Sequence, residues 1–147
     1  MSNFRFRLAA VLKVREAERQ QRRLELAQAY EADRVLQQQM DSLASELALI
    51  KQQSRQAAAP GQVNVDKLLE LQRYTLHIAA QSNSIQLQQS TIREEIERRR
   101  RALVEADRQV RMLENLRDKQ HTTYQHEQFK IEQKALDEVG VRRVRKL

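Results

Sequence analysis

Apolar residues recur along this chain at steps of four and three. Leu36, Met40, Leu43, Leu47 and Ile50 hold that spacing, which marks the stripe of a helix that packs along a second helix in a coiled coil. Carried backwards, the register passes through Asp33, Ala29, Leu26, Arg22, Arg19, Arg15, Leu12 and Leu8. It is largely apolar from Leu26 onward and polar between Arg15 and Arg22. After QAAAPGQVN a second pattern begins, with Leu71, Ile78, Ile85 and Ile92 at strict intervals of seven. Ile96, Leu103, Val110, Tyr124 and Ile131 continue it on the neighbouring seam position.

The two patterns are separated by Pro60 and Gly61, in a chain with one proline and two glycines. A chain so poor in turn formers has few places to bend. The pattern predicts an all-α fold: two long helices in an antiparallel coiled-coil hairpin, forming a single elongated domain. Helix one covers about 8–56, the turn 57–64, helix two about 65–139, and a basic tail 140–147. Asn64 or Asp66 is placed to cap the second helix.

Folding at Pro60-Gly61 makes facing residues sum to near 121. Ile50 then meets Leu71, Leu43 meets Ile78, Leu36 meets Ile85, Ala29 meets Ile92, and Asp33 faces Gln88 and Gln89. Apolar layers match apolar ones and polar match polar, an agreement stronger than either helix alone supplies. A slip by one heptad is the competing register. The helices are unequal, roughly 74 Å and roughly 110 Å at 1.5 Å per residue. Leu8 falls beside Leu113, and residues 114–147 project past the N-terminus without a partner, unless a kink in HIAAQSNSIQ shortens the excess. That stretch carries Tyr124, Phe129, Ile131, Leu136 and Val139 between charges. Such a track suits dimerisation or insertion into another protein, because isolated helical turns fray in water.

Composition narrows the function classes. The chain has 147 residues, 32% charged and 4% aromatic, with no cysteine, so disulfide and thiol chemistry are absent. A two-helix rod offers no pocket that could desolvate an acid–base pair, so no catalytic residue, cofactor or small-molecule substrate is expected. His77, His121 and His126 lack the spacing of a metal set. No run approaches a membrane span, and the N-terminus lacks a signal-peptide core, so a cytoplasmic, uncleaved protein is expected.

The net charge of +7 is uneven. Residues 1–23 carry seven Lys/Arg against two acids, and residues 99–147 thirteen against eight, whereas 24–98 carry seven against ten. In the hairpin the first two sets share an end, giving a basic pole that favours an acidic surface or polyanion. Within EEIERRRRAL, four successive arginines point in four directions. Glu94–Arg98, Glu95–Arg99 and Glu97–Arg101 are i,i+4 pairs, the mark of a salt-bridged solvated face. Arg99 differs, because its seam position turns it toward the other helix. Arg15, Arg19 and Arg22 form one stripe, either solvated or meeting a partner's carboxylates. In LLELQRYTLHIAA, Leu71 and Ile78 turn inward, leaving Leu68, Leu69, Tyr74 and Leu76 partly outside for self-association or docking. A nucleic-acid-binding hairpin, favoured by the sequence pI near 10.1, and a plain scaffold stay open on composition alone.

FRFRLAAVLKVREAERQQRRLELAQA at the start, and LENLRDKQHTTYQHEQFKIEQKALDEVGVRR near the end, resemble the terminal patterns of the bacterial flagellar export protein FliJ family. The EQKALDE run before a basic tail is the specific part, and the likeness spans the chain. The resemblance implies a non-enzymatic antiparallel coiled coil, similar to the central stalk of rotary ATPases. It also implies a seat in the pore of the hexameric flagellar export ATPase, contact with the export gate membrane protein at the inner membrane, and recycling of export chaperones. On matching positions it assigns Arg15, Arg19, Arg22, Arg23, Gln133, Lys134, Asp137 and Glu138 to the ATPase, and Tyr74 and Ile78 to the gate. The equivalent stalk of a virulence-type injectisome is the nearest alternative. Nucleic acid is not an expected partner.

Overall fold

The computed structural model describes residues 3–147. Among them are two helices and no strand: α1, Ala9–Ala57, and α2, Val65–Arg145. The fold is an all-α helical hairpin. Each helix is built from Gln, Glu, Arg, Leu and Ala, which lose little side-chain freedom in a helix. The segment around His77–Gln86 stays within one uninterrupted α2, despite its serines and asparagine.

The turn forms where Pro60 and Gly61 fall. The last carbonyls of α1 are taken up by Ala58 N–H, which donates to Ser54 O at 3.1 Å, and by Ala59 N–H, which donates to Gln56 O at 3.2 Å. Gly61 has φ +107°, a region that side-chain-bearing residues rarely adopt. Asn64 N–H then donates to Ala57 O at 3.1 Å, tying the two ends of the turn together. Of the two candidate caps, Asn64 is the one used: its Oδ1 accepts from Lys67 N–H at 3.1 Å. Asp66, inside the first turn, complements the helix dipole instead.

Contacts group the chain into two units. The first, Arg23–Ala102, contains the turn. Its core is Ile50, Leu71 and Ile78, with Leu43 packed against them, as the register near 121 requires. Farther from the turn the polar partners shift. Gln89, which is buried, donates from Nε2 to Gln37 Oε1 at 3.1 Å. Asp33 stands 3.8 Å from Arg93 across the hairpin. A coiled-coil knob sits between two rungs of its neighbour, so a long side chain reaches the next rung, and opposite charges select it.

The second unit joins the chain up to Arg22 with Leu103–Leu147. Leu12, Ala106 and Val110 are its buried apolar residues, Val110 completely so. Here the expected free stretch from residue 114 needs correction. Residues 3–6 are not helical, and burial alternates from Asn3 to Leu8, with Phe4, Phe6 and Leu8 half-buried and Asn3, Arg5 and Arg7 exposed. The Phe4 ring meets His121 edge-on at 5.0 Å and Tyr124 at 5.7 Å. An extended segment advances about 3.3 Å per residue against 1.5 Å for a helix. A few N-terminal residues therefore accompany two further turns of α2. Every residue from Phe129 to Leu147 is exposed.

The helix also outlasts its expected end at Val139, continuing through Gly140 to Arg145. One glycine costs a helix about 1 kcal/mol relative to alanine. Arg142, Arg143 and Arg145 in the last turn offset that by facing the negative end of the dipole.

Candidate interaction surfaces

The arginine stripe on α1 is more engaged within the chain than its sequence suggests. Arg19 is mostly buried and donates from its guanidinium to Asp107 of α2 at 3.2 Å, an ion pair between helices. Arg15 pairs with Glu18 on its own helix at 3.1 Å. Arg22 is half-buried and has a polar partner within the chain, whereas Arg23 is exposed. The carboxylate that the stripe invited from a partner is supplied, at Arg19, by Asp107. Spacing along α1 alone does not show this; Asp107 becomes visible only once the hairpin register has shifted past 121.

Gln133, Lys134, Asp137 and Glu138 lie on the exposed part of α2. None of the four has an ion pair or side-chain hydrogen bond among the described residues. Asp137, with Leu136, Gly140, Val141, Val144 and Arg145, borders a shallow groove along this end of the helix. The structure does not bring this set together with the arginine stripe. From Asp107 to Gln133 the helix climbs roughly 39 Å at 1.5 Å per residue. The eight positions thus form two surfaces.

Basic charge collects in the same unit. The chain up to Arg22 with Leu103–Leu147 holds 16 Lys/Arg against 10 Asp/Glu, net +6, whereas Arg23–Ala102 holds 11 against 10. Each arginine of the run in that near-neutral unit is paired with a glutamate of its own helix. Glu95 accepts from both Arg98 and Arg99, which holds its carboxyl below the usual carboxylate range. Glu97 stands 3.7 Å from Arg100 and 3.4 Å from Arg101. Arg99 also reaches across the hairpin to donate to the Glu25 carbonyl, as its seam position requires. A run whose arginines point in different directions and already share carboxylates makes a poor phosphate-binding stripe.

Near the turn, Tyr74 is 44% exposed and Ile78 only 2%. Ile78 belongs to the core with Ile50 and Leu71, so a partner reaches its side chain only by opening the hairpin. Tyr74 donates from its hydroxyl to Glu46 Oε2 at 3.0 Å, and that bond to a carboxylate raises its pKa above the usual phenol value. Tyr74 and His77, their rings 6.3 Å apart, line an open groove of about 570 Å³ with Leu49, Lys67 and Glu70. Leu69 and Leu76 are exposed on the opposite face of α2. Among the described residues, no cluster of three His, Cys, Asp or Glu could hold a metal ion, and no helix is long and apolar enough to cross a membrane.

The family model of the flagellar FliJ protein matches residues 4–146. No curated protein and no solved structure matches the chain.

Proposed function

This chain belongs to the flagellar FliJ family and is a component of flagellar protein export; from that premise we propose that it is a non-enzymatic stalk, seated on the hexameric export ATPase. The observation that carries this reading is the bare end of α2, exposed from Phe129 to Leu147 and including Gln133, Lys134, Asp137 and Glu138. Seventeen residues of helix, Phe129 to Arg145, with apolar and charged positions and no cover from the chain itself, suit a pore or groove in another protein. The net +6 of the unit that bears it favours carboxylates around that pore. Arg15, Arg19, Arg22 and Arg23 form a second contact, lower on the hairpin, in which Arg19 acts through its pairing with Asp107.

Near the turn, Tyr74 with His77, Leu49 and Lys67 around the open groove forms the surface we assign to the membrane-embedded export gate, and Ile78, one helical turn on, packs in the core behind it. On this reading the protein is cytoplasmic and gathers at the inner membrane through its partners. Neither surface is assigned to export chaperones.

The test is ATP turnover and hexamer formation by the purified export ATPase, titrated with the full chain. Stimulation that saturates is expected. Lys134→Ala, Asp137→Ala and Glu138→Ala together weaken it several-fold without altering helicity, since those exposed side chains make no ion pair or hydrogen bond in the free chain. Turnover unchanged at saturating protein overturns the proposal.

A further inference from the structure

We propose that the amide pair Gln37–Gln89 is a register latch: the apolar seam of the hairpin accepts two alignments of α1 on α2, one heptad apart, and this pair holds it in one. The inference concerns the hairpin itself and rests on neither the ATPase nor the gate.

The apolar seam does not choose by itself. Leu36, Leu43 and Ile50 stand seven apart on α1, and Leu71, Ile78, Ile85 and Ile92 stand seven apart on α2. In the observed alignment Ile50 and Leu43 pack with Leu71 and Ile78. Sliding α1 by one heptad, about 10.5 Å, sets Ile50 against Ile78, Leu43 against Ile85 and Leu36 against Ile92. Of these layers, only Leu71 goes unpaired, and the turn lengthens at little cost in closure entropy. Sliding the other way sets Leu43 against Leu71, Leu36 against Ile78 and Ala29 against Ile85. Both slides refill the seam.

What chooses is polar. Arg19 pairs with Asp107, Asp33 with Arg93, and Gln37 with Gln89. The residue numbers of each pair sum to 126, so all three belong to one alignment. The slide that lowers this sum by seven brings Arg19 opposite Arg100, and like charges oppose it. The slide that raises it brings Arg19 opposite Glu114 and Asp33 opposite Arg100, so the charges permit it. Gln89 does not. It is only 6% exposed, and its Nε2 donates to Gln37 Oε1 at 3.1 Å. After that slide α1 presents Ala44 at the same rung, which has no side-chain acceptor, and a buried amide without a partner is costly. A buried amide in a coiled-coil seam thus selects register at some expense of stability.

The test is disulfide trapping in the full chain, which has no cysteine of its own. Ser42 and Ser84 border one groove between the helices. Their numbers also sum to 126, and Thr91 takes the place of Ser84 after the permitted slide. Ser42→Cys with Ser84→Cys therefore reads the observed register, and Ser42→Cys with Thr91→Cys the slipped one. In the otherwise unchanged chain, mild oxidation is expected to close the first disulfide and leave the second at background. Gln89→Leu is expected to raise the urea midpoint of unfolding, since Gln37 is exposed and turns back to water. The same change is expected to increase closure of the second disulfide several-fold. Gln37→Ala with Ala44→Gln moves the acceptor by one heptad at constant composition, and the register is expected to follow it, so that the second disulfide outpaces the first. Three results overturn the proposal: the second disulfide closing in the unchanged chain as fast as the first; the second disulfide staying at background in both variants; or a lower midpoint in Gln89→Leu with the register unmoved, which would make the pair a simple stabilising contact.

Discussion

Tyr74 and Ile78 occupy neighbouring turns of α2 and play opposite roles. Ile78 is fully sequestered in the turn-end core, so Ile78→Ala removes buried methylenes and leaves a cavity. A loss of about 3 kcal/mol in unfolding free energy by urea titration is expected. Tyr74→Ala, by contrast, forfeits a surface hydrogen bond and changes stability little, while weakening capture of the gate protein. The phenol makes its own prediction. Its pKa is raised above the usual 10.0 by the hydrogen bond to Glu46. A raised acid contributes stability that is complete below the unfolded value and lost as pH climbs through the folded one. In a Tyr30→Phe, Tyr124→Phe background, ultraviolet titration should find Tyr74 ionising above pH 10, and Glu46→Gln should return it toward the ordinary value. Glu95 gives the mirror case. Its carboxyl is lowered by Arg98 and Arg99, so its contribution stands at neutral pH and disappears only as acid protonates it, below the usual 4.5. The glutamate-to-arginine spacing made Glu95–Arg99 and Glu97–Arg101 readable from the sequence. Asp107 was not readable as the partner of Arg19, because which rung a long side chain chooses depends on opposite charges meeting in three dimensions.

At the level of the helices, the strict sevens from Leu71 to Ile92, the lone Pro60 and the capping Asn64 fixed both the fold and its bend. These are local signals with a direct physical cause, and they placed three of the four main helix ends to within a residue. Two features escaped for a shared reason: a heptad count extended past the point where it applies. At the N-terminus, Phe4, Phe6 and Leu8 alternate every second residue, the signature of an extended segment rather than a helix. Phe4→Ala should release that segment from His121 and Tyr124. Faster amide exchange across 116–124, with no change near the turn, is the expected result. At the other end the expected stop is at about 139, yet nothing near Gly140 demands a left-handed residue, and the cationic last turn carries the helix onward. Gly140→Ala should therefore steady this end by about 1 kcal/mol, seen as slower exchange over 136–145. Faster exchange there would contradict the helical reading.

For the molecule as a whole, burial and charge divide the work. The near-neutral Arg23–Ala102 unit holds the turn, its small core and the Tyr74 surface. The unit with net +6 holds the long exposed end of α2. Its composition showed the basic excess and its terminal motifs showed the family. Neither showed that the two sets of ATPase positions lie roughly 39 Å apart along α2, because a motif carries no length until the partner helix is placed beside it. The stalk reading now depends chiefly on the bare helix. A photo-reactive amino acid placed at Lys134, and in a separate protein at Leu69, tests this most directly when each is irradiated with the assembled export ATPase. Adducts to the ATPase from position 134 and none from position 69 are predicted. Adducts from position 69 alone, or none from 134 under conditions where the chain stimulates turnover, would contradict it.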